Sequence, residues 1–185
     1  MKKLWDISPP VDAQSPVFPG DTPYTQQWTA TLSDTCPVNV SAITLSPHVG
    51  AHADAPLHYD PQGAAVGALD LTPFLGPCGV IHALDAGPLI TVGHLQHALN
   101  DVPARVLVRT CRQFPLTQFD TQLTAFHPDT VQHLADLGVQ LIGTDSASID
   151  PADSKALPSH QAIRQRGLRV LENLLLEEVP EGDYE

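Results

Sequence analysis

Along the chain, short runs of β-branched and aliphatic residues alternate with segments whose apolar positions recur at helical spacing. VNVSAITL (residues 38–45) contains no Gly or Pro and reads as a strand running straight into a histidine-rich stretch. Farther on, CGVIHAL reads as a strand, TVGHLQHALN as a helix capped by Thr91, and ARVLVRT as the next strand, together one β-α-β unit. A second unit follows: Pro128 opens a helix that runs to Leu137, Gly138 ends it, and VQLIGTD supplies the strand. Near the C-terminus, LPSHQAIRQRG predicts a short helix that begins at Ser159 or His160 and stops at Gly167. Such alternation predicts an α/β domain with a partly parallel sheet. By contrast, Pro9, Pro10, Pro16, Pro19 and Pro23 with Gly20 make PVFPGDTP an extended arm and tight turn.

No repeat, low-complexity tract or long linker interrupts these elements. With 185 residues, 42% of them hydrophobic, the chain can build one core, so residues 1–185 are expected to form a single domain. A net charge of −12 with only nine Lys and Arg argues against nucleic acid or an anionic membrane as partner, since both demand clustered cations. Small molecules or other proteins remain. No stretch approaches the roughly twenty consecutive apolar residues of a membrane span, and no apolar run follows Lys2 and Lys3, so the cytoplasm is the expected location. Cys36, Cys78 and Cys111 are odd in number and widely spaced, which fits neither a disulfide framework nor a thiolate zinc site. They read as buried small hydrophobes.

The chemistry concentrates in SPHVGAHADAPLHYD, where His48, His52, Asp54 and His58 fall within eleven positions. Pro47, Pro56 and Gly50 oppose a helix, leaving an extended or turning chain. On an extended chain the four residues share a face, while Val49, Ala51, Ala53 and Leu57 point the other way. Any one of these histidines alone would read as a surface residue. Two imidazoles and a carboxylate in His-x3-His-x-Asp are, however, the donors that borderline divalent metals such as zinc prefer, and a carboxylate can bridge two ions.

Further ligands must come from a distance. Glu172 lies in an apolar row whether its segment is strand (with Leu168, Val170, Leu174 and Leu176) or helix (with Leu168, Leu171 and Leu175). A buried carboxylate needs a cation partner or a proton. A salt bridge to Arg166 or Arg169 competes with a metal role, and the unpaired histidine cluster favours the metal. His160 in the same C-terminal segment is the companion ligand. His82, His94, His97, His127 and His133 read as surface or capping residues, and Asp145, Ser146, Ser148 and Asp150 of GTDSASID as turn and cap residues.

HVGAHADAPLH resembles the His-x-Gly-Thr-His-x-Asp-x-Pro-x-His signature of the metal-dependent cyclase family, and the likeness extends through LWDISPP, FPGDTP, LIGTDSASID and LENLLLEEVPEGDYE. The short length and the last of these segments favour the family's formamidase branch. The resemblance implies a swivelling β/β/α fold, a barrel-like mixed sheet flanked by helices, and a homodimer. It implies two divalent ions, most often zinc: His48, His52 and Asp54 hold one, His160 helps hold the other, and Asp54 and Glu172 touch both. His58 becomes the proton carrier, and Phe18 contacts the substrate's ring. Ala51 replaces the usual Thr, which is not a ligand, and Phe18 replaces the commoner Trp. Because family members run past GDYE into more strand, the chain is expected to lack a closing C-terminal strand. The implied reaction is hydrolysis of N-formyl-L-kynurenine to L-kynurenine and formate in tryptophan degradation. A cyclic-amide hydrolase, acting for example on isatin, and a non-catalytic metal-binding module are the alternatives.

Overall fold

The structure, a computed structural model, describes residues 3–185. Its elements run β1 (Thr25–Ala30), β2 (Val40–Thr44), β3 (His52–Asp54), β4 (Cys78–His82), β5 (Leu89–Ile90), α1 (Val92–Leu95), β6 (Arg105–Arg109), β7 (Ala125–Phe126), α2 (Pro128–Asp136), β8 (Leu141–Thr144), α3 (Pro158–Arg166), β9 (Arg169–Glu172) and β10 (Gly182–Tyr184). Six strands form the main sheet in the order β10-β4-β6-β8-β9-β3. The four inner strands are parallel, and β10 and β3 close the edges antiparallel.

The inner strands are nearly continuous aliphatic runs because both faces of a parallel sheet are covered. Ile81, Val106, Val108, Ile142 and Val170 pack with Val131, Leu134 and Ile163 of α2 and α3. Their neighbours of opposite parity, Val80, Leu107, Leu141 and Leu171, pack with Leu174, Leu176 and Val179 and with Trp5 and Ile7 of the N-terminal arm. The arm is tied down where the Leu175 amide donates to the Ile7 carbonyl at 2.7 Å.

Both longer helices start with Pro at their first turn and stop as their sequences dictate. At the N-terminus of α2 the His127 side chain accepts from the Asp129 amide, and Gly138 just beyond it has φ +91°. α3 ends at Gly167 with φ +66°, a left-handed conformation that costs glycine nothing.

The mixed α/β architecture with helices flanking the sheet is as expected. Two local expectations change. TVGHLQHALN is one α-helical turn, capped by Thr91 and His94, followed by a 3-10 turn at Gln96–Ala98 rather than a continuous helix. The strand within VNVSAITL does not join the main sheet. It pairs with β1 as a separate two-stranded arm, and TQQWTA of β1 lacks the apolar alternation that would have announced it. Among the described residues no helix is long and apolar enough to cross a membrane.

Candidate metal and substrate site

The site begins with a tight turn. The His48 amide donates to Ser46 Oγ at 3.2 Å, and Gly50 at φ +74° swings the chain into β3. Antiparallel pairing of β3 with β9 then sets His52 opposite Glu172 and Asp54 opposite Val170. Two-residue periodicity puts His52, Asp54 and Glu172 on one face, the face covered by α3. Pro56 opens a 3-10 turn that brings His58 back toward Asp54. The four residues therefore converge through turn, strand and turn. The strand spans only residues 52–54, because the left-handed Gly50 and the Pro56 turn bend the chain at both ends.

Asp54 is the centre. Its Oδ1 lies 3.1 Å from His48 Nδ1 and 3.4 Å from His52 Nε2, and its Oδ2 lies 3.3 Å from His160 Nε2 and 3.9 Å from His58 Nε2. Glu172 is divided in the same way, with Oε2 3.6 Å from His52 Nε2 and Oε1 3.6 Å from His160 Nε2. Glu172 Oε1 also accepts the Ile149 amide at 2.9 Å. Neither Arg166, paired with Asp136, nor Arg169, bonded to main-chain carbonyls, is its partner. Two sets of donors, His48/Asp54/His58 and His52/Asp54/Glu172, each lie within 4.8 Å of one another.

Asp54, Glu172 and His160 are all buried. Burial raises the pKa of Asp54, but His160, His48 and His52 outweigh it and hold the carboxyl far below the usual range. Burial likewise disfavours charge on His52 and His160, yet the surrounding carboxylates hold these rings up to about 10 and about 9. The enclosure thus stabilises positive charge. Asp54 Oδ1 nevertheless has no hydrogen-bond partner. His58, the most exposed of the four rings, has its pKa lowered, chiefly by partial burial and against the pull of Asp54.

His48, Asp54, His58, His160 and Glu172 floor a cavity of about 460 Å³ at the carboxyl ends of β6, β8 and β9, the usual place for a site on such sheets. Phe18 lines it, and its ring meets Phe119 edge-on at 5.2 Å between centroids. Phe119, about a hundred positions away in sequence, carries no local signal that would have revealed it. Asp145 shapes another wall by accepting the Thr110 amide and hydroxyl at 2.8 and 2.7 Å and the Cys111 thiol at 3.1 Å. The three cysteines are free and only partly buried, not fully buried as their composition suggested.

With this geometry in view, comparison with known proteins is decisive. Residues 5–151 match the family described as "Putative cyclase". The chain belongs to the cyclase family. All of it aligns with the kynurenine formamidases of Delftia acidovorans, at 67% identity over 88% of that protein, and of Paracidovorax citrulli, at 65% over 87%. Among solved structures, a potential metal-dependent hydrolase with cyclase activity superposes with a TM-score of 0.82 at 26% identity, covering 98% of this chain and 86% of the other.

The turn that delivers His48 and His52 generates a prediction. A Cβ at position 50 would lie 2.5 Å from Val11 Cγ2, on a backbone that L-residues rarely adopt. Gly50→Ala should destabilise the protein by about 1–3 kcal/mol, read as a lowered midpoint in urea unfolding. An unchanged midpoint would mean the turn is not constrained.

Proposed function

We infer that this cyclase-family chain is a metal-dependent arylformamidase that hydrolyses N-formyl-L-kynurenine to L-kynurenine and formate in the cytoplasm. The observation that carries the reading is the division of Asp54 and Glu172, each turning one oxygen to His52 and the other to His160. High identity to proteins named kynurenine formamidase supports the substrate over a cyclic amide.

The residues suit two zinc ions. Bonds of about 2.0–2.1 Å in a tetrahedral site put ligand atoms roughly 3.3 Å apart. The spacings among His48, His52 and Asp54 Oδ1 are 3.0 to 3.4 Å, and His160 Nε2 is 3.3 Å from Asp54 Oδ2. The orphaned Asp54 Oδ1 is what a cation would satisfy. In this reading His48, His52 and Asp54 would hold one ion, His160 would help hold the other, and Asp54 and Glu172 would contribute to both. When bound, such ions lower the pKa of water from about 15.7 to about 7 and polarise the formyl oxygen.

The chain supplies the rest. His58 stands farther from Asp54 than the other rings and nearer solvent, so it serves as proton carrier. It accepts the proton of the attacking water and passes it to the aryl amine nitrogen as the carbon–nitrogen bond breaks, which gives a neutral leaving amine. Phe18 and Phe119 form the aromatic wall for the substrate's ring.

The β1–β2 arm supports a homodimer. A two-stranded ribbon is marginal by itself, yet Trp28 and Ile43, which the register sets on one face, are both more than half exposed. A second copy of the chain is the cover we propose. Light scattering should therefore give a dimer that Trp28→Glu combined with Ile43→Lys converts to a folded monomer. A monomeric wild type would remove the proposal.

The roles of the histidines separate in elemental analysis. Wild type should carry two divalent ions per chain, and His52→Ala should lose metal and turnover together. His58→Ala should keep its metal and lose turnover by roughly 10²–10⁴-fold. Full activity in metal-free protein would overturn the function, and metal loss in His58→Ala would make that ring a ligand.

Phe18→Ala should raise KM for N-formylkynurenine several-fold, corresponding to the about 0.5–1.5 kcal/mol of an aromatic contact, without affecting a small formamide that lacks the ring. Equal losses for both substrates would reduce Phe18 to a support for the fold.

A further inference from the structure

Asp150 has no solvent exposure and lies in the loop between β8 and α3. Its Oδ1 accepts the Ser159 amide at 2.9 Å, and its Oδ2 accepts the His160 amide at 2.9 Å. The same Oδ2 lies 2.7 Å from His160 Nδ1. One carboxylate therefore grips both the first turn of α3 and the ring that this turn carries. An ionised carboxylate can only accept, so a ring proton is held on Nδ1 facing it, and Nε2 is the nitrogen whose proton a cation would displace. That nitrogen faces Asp54 Oδ2 at 3.3 Å and Glu172 Oε1 at 3.6 Å. The corresponding contact of His52 is weaker in kind: its Nδ1 meets only the neutral Gly50 carbonyl, at 2.9 Å.

We propose that Asp150 is a positioning residue that orients the His160 ring and commits its proton to Nδ1, presenting Nε2 to a divalent cation held by Asp54 and Glu172. The proposal rests on the metal reading above. A carboxylate behind a ligating imidazole fixes the ring and makes it a stronger donor than a carbonyl does, so the two ions are held unequally. Asn in place of Asp offers a single oxygen to the three N–H groups, and its amide either abandons the helix turn or pushes the ring proton onto Nε2.

The test is Asp150→Asn. Crystals of the metal-free variant should show the His160 ring rotated from its wild-type position. Zinc chloride titrated into metal-free protein against a competing chelator should show one of the two ions weakened about 10–100-fold and the other unchanged. A purely structural role would lower thermal stability and weaken both ions alike, and that result overturns the proposal, as does an unmoved ring. If the variant does not fold, long-range proton–nitrogen correlation on zinc-loaded wild type decides. The His160 ring proton should be on Nδ1, and a proton on Nε2 overturns the assignment. A wild type that binds no zinc would instead remove the metal reading, leaving Asp150 to be judged on the ring's position alone.

Discussion

Two carboxylates enclosed beneath a helix are the constraint around which this molecule is organised. Asp54 and Glu172 are each only 3% exposed, and a pair of like charges so placed cannot persist without positive charge between or around them. The histidines are the response. Each carboxylate splits its oxygens between His52 and His160, so neither ring can move without exposing a buried charge. The three-residue strand β3 exists within this requirement. Register against β9 makes His52 and Glu172 direct neighbours, and one further step of two residues delivers Asp54 to the same face.

The same arrangement divides the labour of the cavity. The buried floor presents fixed donors, whereas His58, reached by the turn after Pro56, stands at the edge between floor and open space. A ring that shuttles protons must reach both the reacting atoms and solvent, and the position of His58 meets both needs. The aromatic pair of Phe18 and Phe119 comes from loops rather than from the sheet. Substrate shape can thus be tuned without disturbing the strands that align the charges.

How much of this was legible in the sequence depended on the distance over which each signal acts. His48, His52, Asp54 and His58 announced themselves by crowding. Glu172 did so by being a carboxylate in an apolar row, and its alternation with Val170 is what β9 displays. The inner strands and both longer helices were readable from aliphatic runs and from Pro and Gly at their ends. Asp150 was readable only as a turn and cap residue. Its separation of ten positions from His160 has no helical or strand periodicity, and the contact arises from the path of the loop. Phe119 and the strand β1 escaped for related reasons: one meets its partner only in three dimensions, and the other has a single large apolar residue, Trp28, in six.

Of the extended and turning alternatives for the histidine stretch, the structure combines the two, with a three-residue strand between turns. Parity along one strand would have aligned four side chains at a spacing of about 7 Å between alternate residues, too far apart for them to share an ion. Gly50 and Pro56 break the strand on either side of His52–Asp54, and the breaks draw His48 and His58 inward until their rings, tilted 44° to each other, lie 4.2 Å apart between centroids. Small and backbone-restricting residues between the ligands are therefore as much a part of the site's chemistry as the imidazoles. Without the two bends, the same donors would line a strand instead of enclosing a point.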